Sequence, residues 1–313
     1  MTSILIWHHE GDAYAEALAQ RGLAAEVRVA RDESDFVHAL PGTDVLLGFR
    51  FPVAAFATPT SLRWIQVTSA GAEFLAPLRE RLRGVVVTNG RGIHGAPIAE
   101  YVMAAMVMLQ SDFPAFIRAQ MVKRWQRRPV GTLQGRTLGI LGLGAIGSDL
   151  ALRATAFGMR VRGLSRSGNA VPGCAVARTP DKLDAVLAES DFLAVTLPLT
   201  DETRGMLGDA AFAAMKPGAY LVNVARGGVV DEAAMLRALA SRRLAGACVD
   251  VFETEPLPND SPLWSMRNVI VTPHIAGMRR DYVERLVDLF VDNLAAFEAR
   301  DAMTNVVDLE RGY

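Results

Sequence analysis

The sequence predicts two α/β units, each built on a doubly wound parallel sheet, and three observations lead to this fold class. A chain of 313 residues is longer than a typical single domain. Short β-rich runs alternate with helical segments in two series, one before and one after Gln134-Gly135. In the second series the β-rich runs are continuous apolar stretches, as strands that are covered on both faces require.

The first series lies within the first 90 or so residues and contains five predicted strands. These strands are SILIWH, AEVRVA, DVLLGF, RWIQVTS and VVVTN, with helices expected over 13–21 and 33–40. Near the other end of the chain, 281–300 carries an apolar stripe at helical spacing that must dock on another layer. We therefore expect a discontinuous, flavodoxin-like substrate domain that comprises residues 1–95 and 281–313.

The second series forms the other unit, which we expect to span residues 96–280. Its predicted strands are LGILG, RVRGLS, FLAVTLP, AYLVNVA, AGACVDV and NVIVTP, separated by helical stretches. Before them lies an apolar helix with Pro97 in its first turn, a common position for proline. We interpret this helix as buried between layers, and as a hinge or dimer element.

Composition argues against several classes of function. The chain has a formal net charge of −1, and its basic and acidic residues are interspersed. No basic surface for nucleic acid or anionic lipid is therefore predicted. Two cysteines are too few for a disulfide framework or a cysteine-based zinc site. Adjacent His8 and His9 at a strand end are expected to point in opposite directions, so no metal site is predicted. No secretory leader or membrane span is recognisable, which favours a cytoplasmic protein.

A glycine-rich loop, Gly142-Leu143-Gly144-Ala145-Ile146-Gly147, directly follows the first strand of the second series. It leads into a helical segment without interior glycine or proline. In such loops one glycine permits the tight turn, one lets the backbone approach a pyrophosphate, and one allows close helix–strand packing. The following helix N-terminus attracts phosphates. The loop predicts a Rossmann-like domain that holds a nicotinamide dinucleotide for hydride transfer.

The next strand ends in Ser165-Arg166-Ser167, where a site that prefers NAD would normally place an acidic residue. A carboxylate would repel the 2′-phosphate of NADP, whereas a hydroxyl and a guanidinium can donate hydrogen bonds to it. We therefore predict a preference for NADP(H). NAD(H) remains the alternative if Arg166 is merely a solvated loop residue.

Four polar residues follow later strands of this unit, at the sheet edge where α/β proteins bind ligands. They are Arg226, Asp250, Glu255 and His274. Each alone is equally typical of a solvated or capping position. Together they suit the reduction of a 2-keto acid, which needs a cation for the carboxylate and carbonyl and a proton donor for the developing alkoxide. Glu255 is the candidate carboxylate that keeps the histidine protonated.

Longer motifs around these residues resemble the D-isomer-specific 2-hydroxyacid dehydrogenases. Between Asn89 and Gly277 they are NGRGIHGAPIAEY, the glycine loop, LPLTDETRGML, NVARGGVVDEAAMLRAL, DVFETEPLP and NVIVTPHIAG. The resemblance implies that Arg226 binds the substrate, that Glu255 tunes His274, and that His274 is the acid/base. It further implies that Asp250 contacts the nicotinamide carboxamide. The cofactor-lining residues that it implies are Ala145, Ile146, Leu197, Pro198, Thr203, Val224, Ala225 and Gly277.

In the first domain, the loop Thr68-Ser69-Ala70-Gly71-Ala72 resembles the family segment whose backbone amides hold the substrate carboxylate. The alternative interpretation of Ser69, Ala70 and Gly71 is a simple strand-to-helix turn. After Gly277, Met278-Arg279-Arg280 departs from the small or hydroxyl residue and the acidic residue often found in the family. This departure leaves the substrate size open.

These observations predict an enzyme with its active site in the cleft between two domains. The expected reaction is NAD(P)H-dependent reduction of a small 2-keto acid, such as glyoxylate or hydroxypyruvate, to the D-2-hydroxy acid, because Ser165-Arg166 resembles the NADP-linked reductases of the family. The alternatives are an oxidising dehydrogenase of another acid, including phosphite, and a dinucleotide-sensing binding protein of the corepressor type. The apolar helix and the resemblance both predict a homodimer.

Overall fold

Apolar strand segments alternate with helices along this chain, as parallel sheets require, because neighbouring parallel strands must be joined by a crossover. The structure, a computed structural model, describes residues 1–309 except Ala24, Pro59 and Ala175. The chain forms two compact units, one from Met1–Ile93 and the segment that starts at Arg279, the other from His94–Met278. The predicted fold class is confirmed, since both units are parallel α/β sandwiches.

The described residues form the following elements. The strands are β1 (Ser3–Trp7), β2 (Glu26–Val29), β3 (Val45–Gly48), β4 (Trp64–Val67), β5 (Val86–Thr88), β6 (Thr137–Leu141), β7 (Arg160–Leu164), β8 (Val176–Arg178), β9 (Phe192–Val195), β10 (Ala219–Asn223), β11 (Leu244–Val249) and β12 (Val269–Val271). The α-helices are α1 (Gly11–Gln20), α2 (Glu33–Ala39), α3 (Gly95–Gln110), α4 (Phe113–Met121), α5 (Ala145–Ala156), α6 (Leu183–Glu189), α7 (Asp209–Ala214), α8 (Glu232–Ala240) and α9 (Tyr282–Ala299).

The sheet of the first unit has the strand order β2-β1-β3-β4-β5, which is the flavodoxin-like order. Successive side chains of a strand point to opposite faces. Ile4 and Ile6 of β1 pack in one apolar cluster and Leu5 packs in another. Both faces of the sheet are therefore covered.

Helix α9 completes one of these two clusters, although it is far from the sheet in sequence. It packs against α1, and its buried side chains include Leu286, Phe290 and Leu294. The ring of Phe290 stacks on Trp64 of β4, with ring centroids 4.8 Å apart. Full burial of side chains of this size stabilises a fold by about 1.5–3 kcal/mol each. Helix α9 is thus part of the core of the first unit.

The sheet of the second unit has the order β12-β11-β10-β9-β6-β7-β8. Phe192 and Ala194 of β9 point towards the face that α3 and α5 cover, and the alternate residues Leu193 and Val195 point towards α6, α7 and α8. The apolar composition of α3 has its explanation here, because Ala99, Val102 and Met106 are all but inaccessible in this core. No helix in the described ranges combines the length and the apolarity that crossing a bilayer requires.

Candidate active site

The residues predicted for the cofactor and the chemistry lie along one edge of the seven-stranded sheet. The carboxyl ends of β6, β7, β9, β10, β11 and β12 are followed by Gly142, Ser165, Leu197, Arg226, Asp250 and His274, respectively. The strand order reverses between β6 and β9, and open α/β sheets bind ligands at such a switch point. The glycine loop begins at this point.

The three glycines of the loop meet three different requirements. Gly142 has φ +107°, a region that side-chain residues rarely adopt. A Cβ on Gly147 would lie 2.0 Å from the carbonyl oxygen of Gly142, so only glycine lets α5 pack this closely. A Cβ on Gly144 would meet no atom within 4 Å. Protein packing therefore explains Gly147, whereas the space at Gly144 is open to a ligand.

The backbone amides beside this space are available to an anion. The first amides of a helix have no partner within the helix. The N–H groups of Leu143, Gly144, Ala145 and Ile146 donate to no acceptor in the part of the chain that the structure describes. Unpaired amides and the positive end of the helix dipole together attract phosphate. The loop therefore fits the diphosphate of a dinucleotide.

Ser165 and Arg166 lie at the end of β7, next to the glycine loop in strand order. The amide of Ser165 donates to the carbonyl of Arg178 at 2.9 Å, which ties this position to β8. Its Oγ accepts a hydrogen bond from the amide of Gly168 at 3.2 Å, and Arg166 is exposed. The structure thus holds a hydroxyl in a defined turn, with a guanidinium beside it.

The other predicted cofactor-lining residues surround the same sheet edge. Thr203 closes the loop after β9, because its Oγ1 donates to the carbonyl of Pro198 at 2.7 Å and accepts from the amide of Thr200 at 2.8 Å. A Cβ on Gly277 would lie 3.0 Å from the ring of His94, so close packing requires a small residue there. Val224 and Ala225 are buried just beyond β10.

Arg226 stands at the start of a single 3₁₀ turn, Gly227–Val229. A Cβ on Gly227 would lie 1.9 Å from the carbonyl carbon of Phe252, so this turn packs directly on the neighbouring backbone. The buried side chain of Asn223 donates to the carbonyl of Arg226 at 3.3 Å and accepts from the amide of Ala225 at 3.2 Å. Sequence reasoning missed Asn223, whose signal is a polar residue at the end of an otherwise apolar strand.

His274 forms a hydrogen bond with Glu255, with Nδ1 2.8 Å from Oε2. The other carboxylate oxygen of Glu255 accepts from the amide of Phe252 at 3.1 Å, which holds the carboxylate in place. Because a carboxylate only accepts, the proton between the pair is on Nδ1, and Nε2 is the ring nitrogen left to exchange a proton with another group. The imidazole is 48% exposed, so that nitrogen is accessible.

Asp250 holds the turn that carries His274. Its carboxylate accepts from Thr272 Oγ1 at 2.5 Å and from the amides of Ile275 and Ala276 at 2.9 Å each, and it is 1% exposed. The amide of His274 donates to the Asp250 carbonyl at 2.8 Å. These bonds assign Asp250 a role in positioning His274. Its contact with the nicotinamide carboxamide stays a prediction.

A hydrogen-bonded chain continues from Asp250 into the core. Since Thr272 donates its hydroxyl proton to the carboxylate, it accepts from the hydroxyl of Tyr101, 2.5 Å away. The Tyr101 oxygen lies 3.2 Å from Cys248 Sγ. Burial raises the pKa of Tyr101, and raises the pKa of Cys248 to about 11, so both groups stay protonated. Tyr101 and Thr272, which sequence reasoning missed, thus fix the Asp250 carboxylate.

In the first unit, the loop after β4 presents a second set of amides. The carbonyls of Ser69, Ala70 and Gly71 are paired: they accept from the amide of Gly90 at 2.8 Å, the side chain of Asn89 at 2.7 Å and Ser69 Oγ at 2.6 Å, respectively. Their three N–H groups donate to no acceptor among the residues described. With its carbonyls occupied and its amides unpaired, this loop is a candidate anion site.

Arg279 pairs with the start of α9. Its Nε and Nη2 donate to the two carboxylate oxygens of Asp281 at 2.5 and 2.7 Å. Arg279 and Arg285 hold the pKa of Asp281 well below its usual range. The departure from the family pattern after Gly277 therefore supplies an ion pair at a helix terminus.

His8 and His9 do not point in opposite directions as expected. Strand β1 ends at Trp7, so the alternation of a strand does not extend to them, and their ring centroids are 4.3 Å apart. With Glu10 they form the one cluster of three potential metal ligands found in the described ranges. Burial and the neighbouring His9 lower the pKa of His8 to about 4, and its Nδ1 accepts from the Glu10 amide at 3.1 Å. His8 is therefore neutral near pH 7 and caps the turn.

The glycine loop and the His–Glu pair define an oxidoreductase that uses a nicotinamide dinucleotide. The profile of the family described as D-isomer specific 2-hydroxyacid dehydrogenase, NAD binding domain, matches residues 103–276. The chain belongs to this family.

Relatives and solved structures extend the similarity beyond the matched domain. A glyoxylate reductase of Korarchaeum cryptofilum is 34% identical over 82% of this chain and 79% of its own length. A D-isomer specific 2-hydroxyacid dehydrogenase of Xanthobacter autotrophicus, solved with NADPH and MES, is 34% identical with a TM-score of 0.88, over 100% of this chain and 99% of its own. An NADPH-dependent glyoxylate/hydroxypyruvate reductase of Sinorhizobium meliloti, solved with NADP and sulfate, is 29% identical with a TM-score of 0.91, over 100% of both chains.

Proposed function

We propose that this protein reduces a small 2-keto acid of the glyoxylate or hydroxypyruvate type to the D-2-hydroxy acid, with NADPH as the preferred cofactor. The observation that carries the proposal is the pair of His274 and Glu255 on the sheet edge that also bears the glycine loop. The activities for which the Korarchaeum and Sinorhizobium relatives are named support the same substrate class.

The residues of this chain have the following roles in the proposed reaction. Arg226 binds the carboxylate and carbonyl of the substrate, and the unpaired amides of Ser69–Gly71 are a carboxylate-binding site of the first unit. A reduced nicotinamide dinucleotide, held by the glycine loop, would supply the hydride for this reduction. His274, as imidazolium, donates its Nε2 proton to the oxygen on which negative charge develops. Glu255 stabilises the imidazolium and holds the ring through Nδ1, so Nε2 keeps its orientation.

The direct test of the reaction is a spectrophotometric assay of NADPH consumption over a panel of 2-keto acids. We expect glyoxylate and hydroxypyruvate to be reduced, and a chiral product to be the D-isomer. Turnover only in the direction of oxidation, with phosphite or another acid, would contradict the proposal. Binding of dinucleotide without turnover of any panel member would instead indicate a sensing protein.

Ser165→Asp should reverse the cofactor preference. The new carboxylate would repel the 2′-phosphate of NADPH and accept hydrogen bonds from the ribose hydroxyls of NADH. We expect the ratio of kcat/KM for NADPH to that for NADH to fall by about tenfold or more, equivalent to about 1.4 kcal/mol. Asn169→Asp adds the same charge further along the exposed loop and serves as the control. If the wild-type enzyme uses NADH as efficiently as NADPH, the assignment of NADPH as the preferred cofactor is refuted.

We propose further that the protein is a homodimer that buries α4 and the segment that follows it. Helix α4 has no buried residue, and Arg128 pairs with Asp112 and lies over Phe116, so the segment runs back along the helix. Monomeric proteins rarely leave a large contiguous apolar patch in water, and aromatic residues, Met and Arg are enriched at interfaces. The exposed apolar residues here are Phe113, Ile117, Met121, Val122, Trp125 and Val130.

Sedimentation velocity should show a dimer for the wild type, and Ile117→Ser with Trp125→Ser should shift it towards monomer. Val53→Ser removes an exposed apolar side chain from the first unit and should leave the dimer intact. A monomeric wild type at micromolar concentration would disprove this assembly.

A further inference from the structure

The turn that joins β1 to α1 consists of two histidines and a glutamate. Strand β1 ends at Trp7 and α1 begins at Gly11, so His8, His9 and Glu10 form the whole connection. The amide of Gly11 donates to the carbonyl of His8 at 3.0 Å, which closes the turn. The three side chains therefore leave a short, hydrogen-bonded segment between a strand and a helix, and this restricts their relative positions.

The potential ligand atoms of these side chains lie close together. A ring nitrogen of each histidine and a carboxylate oxygen of Glu10 are all within 4.8 Å of one another. Nε2 of His9 lies 3.7 Å from Oε2 of Glu10. In a tetrahedral zinc site with bonds of about 2.0–2.2 Å, neighbouring ligand atoms are about 3.3–3.6 Å apart. Because His9 and Glu10 are exposed, small rotations of their side chains would bring the three ligand atoms to one ion.

The imidazole of His8 has a nitrogen that can bind a metal ion. Its Nδ1 accepts a hydrogen bond from the amide of Glu10 at 3.1 Å, so this nitrogen carries a lone pair and not a proton. Neutral imidazole nitrogens and carboxylate oxygens are common ligands of Zn²⁺. An ion at Nδ1 would replace this hydrogen bond, and the amide of the exposed Glu10 could then bond to water.

The topology of the sheet gives a separate reason to expect a ligand at this turn. The strand order of the first unit is β2-β1-β3-β4-β5, so the direction of winding reverses between β1 and β3. Open α/β sheets bind ligands outside the carboxyl ends of their strands, at such a switch point. His8 follows the carboxyl end of β1 directly.

A buried hydroxyl group beside the turn also needs a partner. Tyr14 is 0% exposed, and its hydroxyl forms no hydrogen bond with any residue that the structure describes. Its ring makes an edge contact with the ring of His8, with centroids 4.9 Å apart. The amide of Tyr14 donates to the carbonyl of Glu10 at 3.2 Å, and helical side chains lean back over the preceding turn. The hydroxyl is therefore placed to donate to a group held at this turn.

We infer that His8, His9 and Glu10 bind a Zn²⁺ ion, with water as the fourth ligand and the Tyr14 hydroxyl as a hydrogen-bond donor to the carboxylate of Glu10. This site lies within the first unit and shares no residue with the glycine loop or with the pair of His274 and Glu255. It is therefore separate from the proposed reaction. The bound ion connects the end of β1 to the start of α1 and stabilises the folded chain by linkage.

Titration of the metal-free full chain with Zn²⁺, in competition with a chromophoric chelator, tests the site. We expect the wild type to bind one ion per chain at this turn. His9→Gln and Glu10→Gln each alter a ligand and should raise the Kd for Zn²⁺ by about tenfold or more. Tyr14→Phe removes only the unpaired hydroxyl. It should raise the Kd by about tenfold, the lower end of the effect of losing a hydrogen bond to a ligand, without lowering the melting temperature of the metal-free protein.

Two control variants distinguish this site from other histidines. His38→Gln removes an exposed histidine of the same unit, and His274→Asn removes the histidine of the candidate active site, so both should keep the wild-type Kd for Zn²⁺. Thermal unfolding gives a second readout, because Zn²⁺ should raise the melting temperature of the wild type but not that of the variant with both His9→Gln and Glu10→Gln. Equal affinity of the wild type and this double variant, or loss of the ion in His274→Asn, would overturn the inference.

Discussion

His274→Asn is expected to lower kcat for keto-acid reduction by about 10²- to 10⁴-fold, the usual contribution of a positioned general acid. Asparagine tolerates the left-handed backbone of this position, where φ is +55°. The backbone bond from residue 274 to the Asp250 carbonyl is retained as well. The variant therefore removes the proton donor with little change to the turn, so the melting temperature and the Kd for NADPH should remain close to wild type.

Glu255→Gln provides the matched comparison, because it keeps the shape and the bond from the Phe252 amide but removes the charge. We expect a smaller loss of kcat than in His274→Asn, since the ring keeps a hydrogen-bond partner at Nδ1 but loses the negative charge beside it. Steady-state kinetics would measure both variants. Near-wild-type kcat in His274→Asn on the best substrate would refute the acid/base assignment.

The second large effect is expected in the glycine loop, where two alanine substitutions should weaken cofactor binding for different physical reasons. In Gly147→Ala the new Cβ would overlap the Gly142 carbonyl oxygen, so α5 must shift. Overpacking of this kind costs about 1–3 kcal/mol of stability, and we expect a lower melting temperature together with weaker cofactor binding. In Gly144→Ala the protein itself offers no clash. The melting temperature should not change, while the Kd for NADPH should rise by about tenfold or more.

Thermal unfolding with and without NADPH distinguishes the two variants. Cofactor should stabilise the wild type by ligand linkage, and this increment should be smaller in Gly144→Ala although the apo protein is unaffected. An equal loss of apo stability in both variants would show that Gly144 serves packing and not the ligand. An unaltered Kd in Gly144→Ala would place the diphosphate elsewhere.

Periodicity predicted the fold because most of the predicted strands are the apolar runs that a covered parallel sheet requires, whereas β2, with Glu26 and Arg28, lies at a sheet edge. The elements that it missed lack this signal. Strand β8 has three residues, all half-buried at the sheet edge, so neither length nor hydrophobicity marks it. Helix α4 begins after Asp112 at φ +53° and buries nothing, so it has no apolar stripe that faces a core. The 3₁₀ segment Glu73–Leu82 contains Pro77, which conceals its helical spacing.

The candidate site was predictable where a residue type follows directly from the chemistry, as with Arg226 and His274. Residues that act by positioning other residues were not predictable from the sequence. Thr272 and Tyr101 both lie in the motifs quoted above, but they are far apart in sequence, and only the fold brings their hydroxyls together. The hydrogen bonds of Asp250 to the amides after His274 likewise depend on the conformation of a turn that no periodicity encodes.

The docking of α9 on Trp64 has a consequence for how the protein is made. A ribosome completes β1–β5 early, but their partner helix emerges only after the whole of the intervening unit. At a synthesis rate of roughly 5–20 residues per second, α9 emerges of order ten seconds or more after β5. Until then the apolar face formed by residues such as Ile4, Leu47 and Trp64 stays exposed to water. The central unit is continuous in sequence and can fold before α9 is made, so the nascent N-terminal sheet exposes apolar surface for longer.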